Sequence, residues 1–431
     1  MKTLEVRYST LRLGFLLFGL LFYLKAFDFL MVLALGRSSS IMDRDLEGNV
    51  VNQVCGLITL LIPAWLFVRQ RVFQRRSFYR DNLAMLLFLA CLLLSVFWSH
   101  EPALSLRRFV ALLGVVAFAG FALYNYSLER LALLIGCTIG FLSLLGLLLA
   151  MVVPELVFYD QGARAGAFRG LFGEKNAAAR LNAVALLLLL PAIRQRHRWA
   201  LVAGACALLA VALSRSATGV VLLCVGLTSY AYFLMLIRLR LHRSRTTLVL
   251  STLIYLAICL TLYANYHLFL DLLGRDSTLT DRTQIWALLE APIQAEWLRG
   301  YGFGAFWASP AADFFLRRWG YIGNAHSGYL ETLLHGGVIQ LAALLMLFAA
   351  TLRKHFSALR GRVAVDWHAC ALIITGLFIL ANYVAYVVPN YRSGEFLVFC
   401  VLALTLRSPA RSAAAVRGLR QGGGIHWRPS P

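Results

Sequence analysis

The chain has 431 residues, of which 60% are hydrophobic and only 14% charged, and no soluble globular fold can hide that share of apolar side chains. The formal net charge of +21 would suit a nucleic-acid surface. However, the 41 Lys and Arg residues sit mostly in short stretches between apolar runs, which is the positive-inside pattern of a membrane protein. The eight cysteines all fall inside apolar runs with no Cys-x-x-Cys pair, so they read as small core residues and not as disulfides or metal ligands.

Taken in chain order, the apolar runs predict about twelve helical spans, at 10–35, 51–68, 83–98, 106–125, 131–153, 173–193, 199–214, 217–237, 247–266, 328–352, 367–388 and 394–407. The first is read as a retained span, because Lys25 and Asp28 interrupt it and no small-residue cleavage site follows. An even number of spans puts both termini on one side. That side carries Arg71, Arg75 and Arg76, then Arg194 and Arg196, Arg240 and Arg243, Arg353 and Lys354, and the arginines of the tail, which makes it cytoplasmic. The expected fold class is therefore all-α, a polytopic transmembrane helical bundle. It divides into nine spans over 1–266, a large loop on the far face over 267–327, three spans over 328–407 and a tail over 408–431. The tail has no apolar period and reads as disordered. Within the large loop, 281–298 predicts a helix with Ile285, Leu288 and Leu289 on one face, and Trp286 and Trp297 suit an interfacial position, so the loop should form a small helical cap.

Four places on the far face carry chemistry. The Gly-rich stretch 161–176 places Arg164, Arg169 and Lys175 against the positive-inside trend; they either snorkel to headgroups or form a flexible cradle for a lipid phosphate or pyrophosphate, where Arg supplies bidentate donors. Arg215 sits in a turn between two spans with almost no loop, where an unpaired charge is costly, so either a salt bridge or an anionic substrate group should partner it. Arg282 opens the loop helix and pairs with Asp281 or Glu290, or points at substrate. It precedes the turn 299–306, whose three glycines permit close backbone approach. His326 lies where the loop enters the tenth span, as a helix-start histidine bonded to a carbonyl or as a general base toward a sugar hydroxyl. At about 100° per residue His326 and His335 point to opposite sides of a helix, which argues against zinc between them. No paired-carboxylate or Walker pattern occurs on this face, so no metal and no other cofactor is expected.

The Arg282 helix, the turn 300–306 and the run 326–340 resemble the signature region of the O-antigen ligase and polymerase superfamily. So do 170–176, 214–219 and Trp98-Ser99-His100-Glu101-Pro102. The resemblance departs at Ser327, where the family often has Asn, and at His335, where it commonly has an acidic residue. It implies a GT-C-like integral-membrane glycosyltransferase of lipopolysaccharide biosynthesis, in the bacterial inner membrane with a periplasmic active site. The donor would be O-antigen on undecaprenyl pyrophosphate and the acceptor the lipid A core oligosaccharide, with membrane lipids as surroundings and no nucleic acid. In that scheme Arg215 and Arg282 stabilise the leaving pyrophosphate, Arg164, Arg169 and Lys175 bind it, and His326 deprotonates the acceptor. An O-antigen polymerase using the same donor is the nearest alternative. A transporter, with Arg215 and Lys25 or Asp28 lining an anion path, is the alternative of another class.

Overall fold

The computed structural model describes residues 2–34, 50–160, 164–264, 280–320, 323–361 and 364–406. Its helices are α1 (Lys2–Tyr23), α2 (Ala26–Ala34), α3 (Val50–Arg69), α4 (Arg76–Leu94), α5 (Pro102–Asn125), α6 (Leu128–Leu149), the single turn α7 (Pro154–Val157), α8 (Lys175–Arg194), α9 (Arg198–Leu213), α10 (Ala217–Arg238), α11 (Arg245–Ala264), α12 (Thr280–Ala295), α13 (Asp313–Trp319), α14 (Gly328–Ala358), α15 (Val365–Val384) and α16 (Gly394–Ala403). Each of the twelve apolar runs carries a helix. Among the described residues eight helices are long and apolar enough to cross a membrane, and the chain is a multi-pass, all-α membrane protein. The tail 408–431, and 267–279 of the large loop, lie outside the described residues.

Local sequence sets the helix ends. Ser127, Ser216 and Ser393 cap α6, α10 and α16 by accepting from the third residue on, and Pro102 opens α5 where its missing N–H is harmless. With ten residues α16 rises only about 15 Å, half of a bilayer core. It is buried all round instead, packed against α5, α8, α14 and α15, and the Lys354 ammonium closes its end by donating to the carbonyls of Leu402 and Leu404 at 2.7 and 2.6 Å. One charged pair crosses this interior: Arg180 of α8 donates to Glu395 of α16 at 2.9 Å, and each offsets the cost of burying the other.

Two expected spans are not continuous. The run 10–35 breaks at Lys25, which is left-handed with φ 65°, and yields α1 and α2. The run 328–352 is interrupted at Gly336 and Gly337, where Gly337 has φ 61° and ψ −157°, a conformation open only to glycine. The large loop fills that break. Tyr301 and Gly302 donate their N–H groups to the carbonyls of Leu334 and His335 at 2.7 and 3.1 Å, and Val338 donates to the Trp297 carbonyl at 2.9 Å. Three of the backbone groups that the helix gives up are thus satisfied by the loop, as an apolar setting favours. Beyond the break, 338–358 is roughly 30 Å long, enough to cross the hydrocarbon alone.

Within the described part of the large loop a small hydrophobic cluster packs together. Ile285, Leu289, Tyr301, Phe306, Trp307 and Phe315 bury together, with Leu288 and Trp286 packed on them, while Trp297 stays largely exposed. The turn 299–306 is anchored from the end of α4: Trp98 Nε1 donates to the Arg299 carbonyl at 2.9 Å and His100 N to the Tyr301 carbonyl at 3.0 Å. Gly300, Gly302 and Gly304 all have positive φ, and a Cβ on Gly300 would meet α14 backbone at 2.6 Å.

Candidate active site

His326 is held in a turn fixed from three sides, immediately before α14. Its own backbone is left-handed, φ 49°, and its N–H donates to Asn324 Oδ1 at 2.9 Å. The preceding Ala325 offers its carbonyl to Trp286 Nε1 of α12 at 2.9 Å and its N–H to Glu331 Oε2 at 2.8 Å. On the third side, Gly328 N–H reaches the Ala385 carbonyl at 3.0 Å. Glu331, one turn into α14 and buried, also accepts Trp307 Nε1 at 3.1 and 3.2 Å and lies 3.2 Å from His335 Nε2. The ring of His335 must carry its hydrogen on Nε2 to make that bond, which leaves Nδ1 buried with no partner. His326 is therefore not on the helix, and the opposite-faces comparison with His335 gives way to a turn and a broken helix. Among the described residues no three His, Cys, Asp or Glu side chains are grouped to hold a metal ion.

Around His326 stand charges from two distant parts of the chain, Arg164 and Glu174 from one and Arg282 from the other, with Glu331 close by in sequence. Burial, then the Arg282 cation, push the imidazole below its ordinary pKa, while Glu174 and Glu331 act the other way, so the ring is neutral near neutral pH. Arg282, on the first turn of α12, donates through Nη1 to the Val384 carbonyl at 2.6 Å, at the exposed end of α15. Its partner is thus this carbonyl and not Glu290, because the cap docks α12 against the end of α15; the side chain of Asp281 lies outside the described residues. Glu174, just before α8, is exposed to solvent with protein crowded around it. Burial raises its pKa, but Arg180, Arg164, His326 and Lys25 together outweigh that and hold the carboxyl below its usual range.

The stretch 164–174 is not a flexible cradle. Tyr159 N donates to the Ala167 carbonyl at 3.1 Å, Gly166 N to the Tyr159 carbonyl at 2.8 Å and Phe168 N to the Leu213 carbonyl at 3.0 Å, and Phe168, Leu171 and Phe172 are buried. Arg169 is buried as well; it donates to the carbonyls of Leu156 and Glu155 at 3.2 and 3.1 Å and stacks 5.0 Å over Tyr159, so it shapes this loop. Arg164 lies 5.9 Å over the same ring and toward Glu174 and His326, and Lys175 begins α8. Arg215 is exposed and rests its Nη1 on the Ala165 carbonyl at 3.3 Å; among the described residues no carboxylate is near enough for an ion pair. The structure therefore brings His326, Arg282 and Arg164 together, sets Arg215 against the backbone of the Arg164 loop and diverts Arg169 to a structural use.

The sequence is similar to known proteins. Residues 202–345 match the O-antigen ligase family. The chain is also 26% identical over 384 residues, 83% of each chain, to the exopolysaccharide production protein ExoQ of Rhizobium meliloti (strain 1021). Both likenesses point to the O-antigen ligase superfamily. They support a function of the polysaccharide ligase or polymerase type. The stretch matching the O-antigen ligase family contains Arg215, Arg282, His326 and Glu331, whereas Arg164, Glu174 and Arg180 reach the same cleft from outside it. Glu174, Arg180 and Glu331 are the residues that sequence reasoning passed over. An arginine inside the apolar run of α8 is the one signal that could have found Arg180, since a charge in a span marks a partner or a site.

Proposed function

We propose that this protein transfers a polysaccharide from undecaprenyl pyrophosphate to the lipid A core oligosaccharide, at the periplasmic face of a bacterial inner membrane with both termini cytoplasmic. The observation that carries this reading is a neutral histidine held in a fixed turn inside a cluster of cations. His326 takes the proton of the attacking acceptor hydroxyl, whose oxygen bonds to the anomeric carbon as the bond to the pyrophosphate oxygen breaks. Pyrophosphate leaves with the electron pair, so attack from the opposite side inverts the configuration. Arg282 and Arg164 stabilise the charge that accumulates on the departing group, as fixed cations do without a metal, and Lys175 and Arg215 meet the donor's headgroup at the rim. Arg169 supports this by holding the Arg164 loop in shape.

A second reading has its own support. The likeness to an exopolysaccharide production protein covers most of both chains, which favours a polymerase that uses the same donor with a glycan as acceptor. The test is to incubate the purified protein with lipid-linked glycan and lipid A core, then with lipid-linked glycan alone. Glycosylated lipid A core identifies the ligase and a lengthened glycan the polymerase. His326→Ala should abolish either product while the protein still inserts and folds, and substantial activity of a well-folded His326→Ala protein removes it as the base.

A further inference from the structure

The cations around His326 suit one half of the reaction and work against the other. Arg282 and Arg164 favour a departing pyrophosphate, yet both oppose a proton on His326, and burial of the ring opposes it too. A base so placed is hard to protonate at the moment the acceptor hydroxyl gives up its proton. An anion beside the imidazole offsets this, and two carboxylates, Glu174 and Glu331, act on the ring in that sense.

Their situations differ. Glu331 is buried and committed to Trp307 Nε1, the Ala325 N–H and His335 Nε2, so its oxygens hold the turn together. Glu174 reaches the ring from the other side and is exposed. Among the described residues its carboxylate accepts a single hydrogen bond, a long one from Asn176 Nδ2 at 3.4 Å, and it does not cap α8. Asn176 is oriented for that bond, because its Oδ1 accepts from Ser216 Oγ at 2.8 Å and its amide nitrogen is thereby turned toward Glu174. The backbone underneath is fixed: Leu171 and Phe172 are buried, Gly173 has φ 80°, and the Glu174 carbonyl receives the Ala178 N–H at 2.9 Å. On His326 the effect of Glu174 exceeds that of Glu331, although Glu331 is far nearer in sequence. Glu174 is also the leading group that supports the charge of Arg282 against burial. One carboxylate thus serves both the base and the cation next to it, with a face still open to water.

We propose that Glu174 is the anionic partner of His326, a positioning residue that balances the charge of the imidazolium formed when the ring takes the acceptor's proton. The proposal rests on the reading of His326 as the general base. The proton passes from the acceptor oxygen to the ring and stops there. Glu174 stays ionised, so imidazolium and carboxylate together carry no net charge while pyrophosphate departs with the electron pair of the broken bond.

Glu174→Gln keeps the size of the side chain and removes its charge at an exposed position, so Tm should hold. Full-length protein in nanodiscs, with carbon-13-labelled histidine, would be titrated by NMR, the His326 signal being identified by its loss in His326→Asn. The midpoint of that signal should fall in Glu174→Gln. It should stay near the wild-type value in Glu174→Asp, which retains the charge, and in Glu155→Gln, which removes an exposed carboxylate from the neighbouring α7 turn. In the transfer assay kcat of Glu174→Gln should drop by about tenfold or more, since one pKa unit is a factor of ten in the stability of the protonated base. The donor KM should stay level or fall, because an anion has left the cations that meet the pyrophosphate. A carboxylate that merely holds Arg164 and Arg282 in place gives the opposite pattern, a raised donor KM with the His326 midpoint unmoved, and that result overturns the proposal. So does a wild-type midpoint together with wild-type kcat in Glu174→Gln. If the midpoint falls as expected but the wild-type protein transfers nothing, the reading of the reaction fails and the pairing of Glu174 with His326 stands.

Discussion

Replacing Glu331 by Gln keeps the shape of the side chain and removes its charge from a carboxylate that ties together Trp307, the Ala325 N–H and His335. The amide oxygen can still accept from Ala325 and Trp307 in the Oε2 position, while the amide nitrogen faces the hydrogens of Trp307 and His335. One charge-assisted bond is therefore lost, worth about 1.5–3 kcal/mol. Glu331→Ala would strand three buried donors at about 1–3 kcal/mol each, enough to threaten folding, so the Gln variant is the informative one. The charge supports the protonated form of His326, and its removal lowers the pKa of that ring further; Arg282 opposes the protonated form, and Arg282→Ala raises it. A general base works when neutral, so activity falls as pH drops through its pKa, which lies below the ordinary value of about 6.5. The acidic limb of kcat/KM should move to lower pH in Glu331→Gln and to higher pH in Arg282→Ala. The assay is transfer of a fluorescent lipid-linked glycan from about pH 4.5 to 8, with Tm measured at each pH. Limbs that stay in place in both variants, or shift in the same direction, would refute His326 as a base tuned by these two groups.

Gly337→Ala must accommodate a Cβ 2.2 Å from the Leu298 carbonyl carbon as well as a strained backbone worth about 1–3 kcal/mol, and should lower Tm in detergent by several degrees. Arg169→Ala should destabilise by about 2–4 kcal/mol and expose 155–174 to limited proteolysis, having lost two bonds to carbonyls. Arg164→Ala should change stability by no more than about 0.5 kcal/mol and raise the donor KM. In a cysteine-free background, a cysteine at Arg317 should react with an impermeant thiol reagent in intact cells and one at Arg360 should not; the reverse would place His326 on the cytoplasmic side.

The helices were legible because each rests on a local property, an apolar run ended by Ser, Pro or charge. The turn 299–306 and His326 stood out for the same reason, since three glycines and a titratable residue at a loop end are local signals. What lay hidden depends on parts of the chain that meet only after folding. Arg180 finds Glu395 across 215 positions, and Arg282 takes the end of α15 over Glu290. The break in α14 reads as two ordinary glycines until the cap supplies backbone partners. Arg169 looked like its neighbour Arg164, and only the carbonyls of Leu156 and Glu155 distinguish them.

The way 297–302 fills the break in α14 constrains how the protein is assembled. Those residues precede α14 in the chain, so they are synthesised and moved to the His326 end before the helix they complete. Until they arrive, the carbonyls of Leu334 and His335 and the N–H of Val338 have no partner, at a cost of several kcal/mol each in hydrocarbon. Placement of the tenth span and docking of the cap are consequently one step. A bundle whose cap had not docked would still carry His326, but without the turn that aims it.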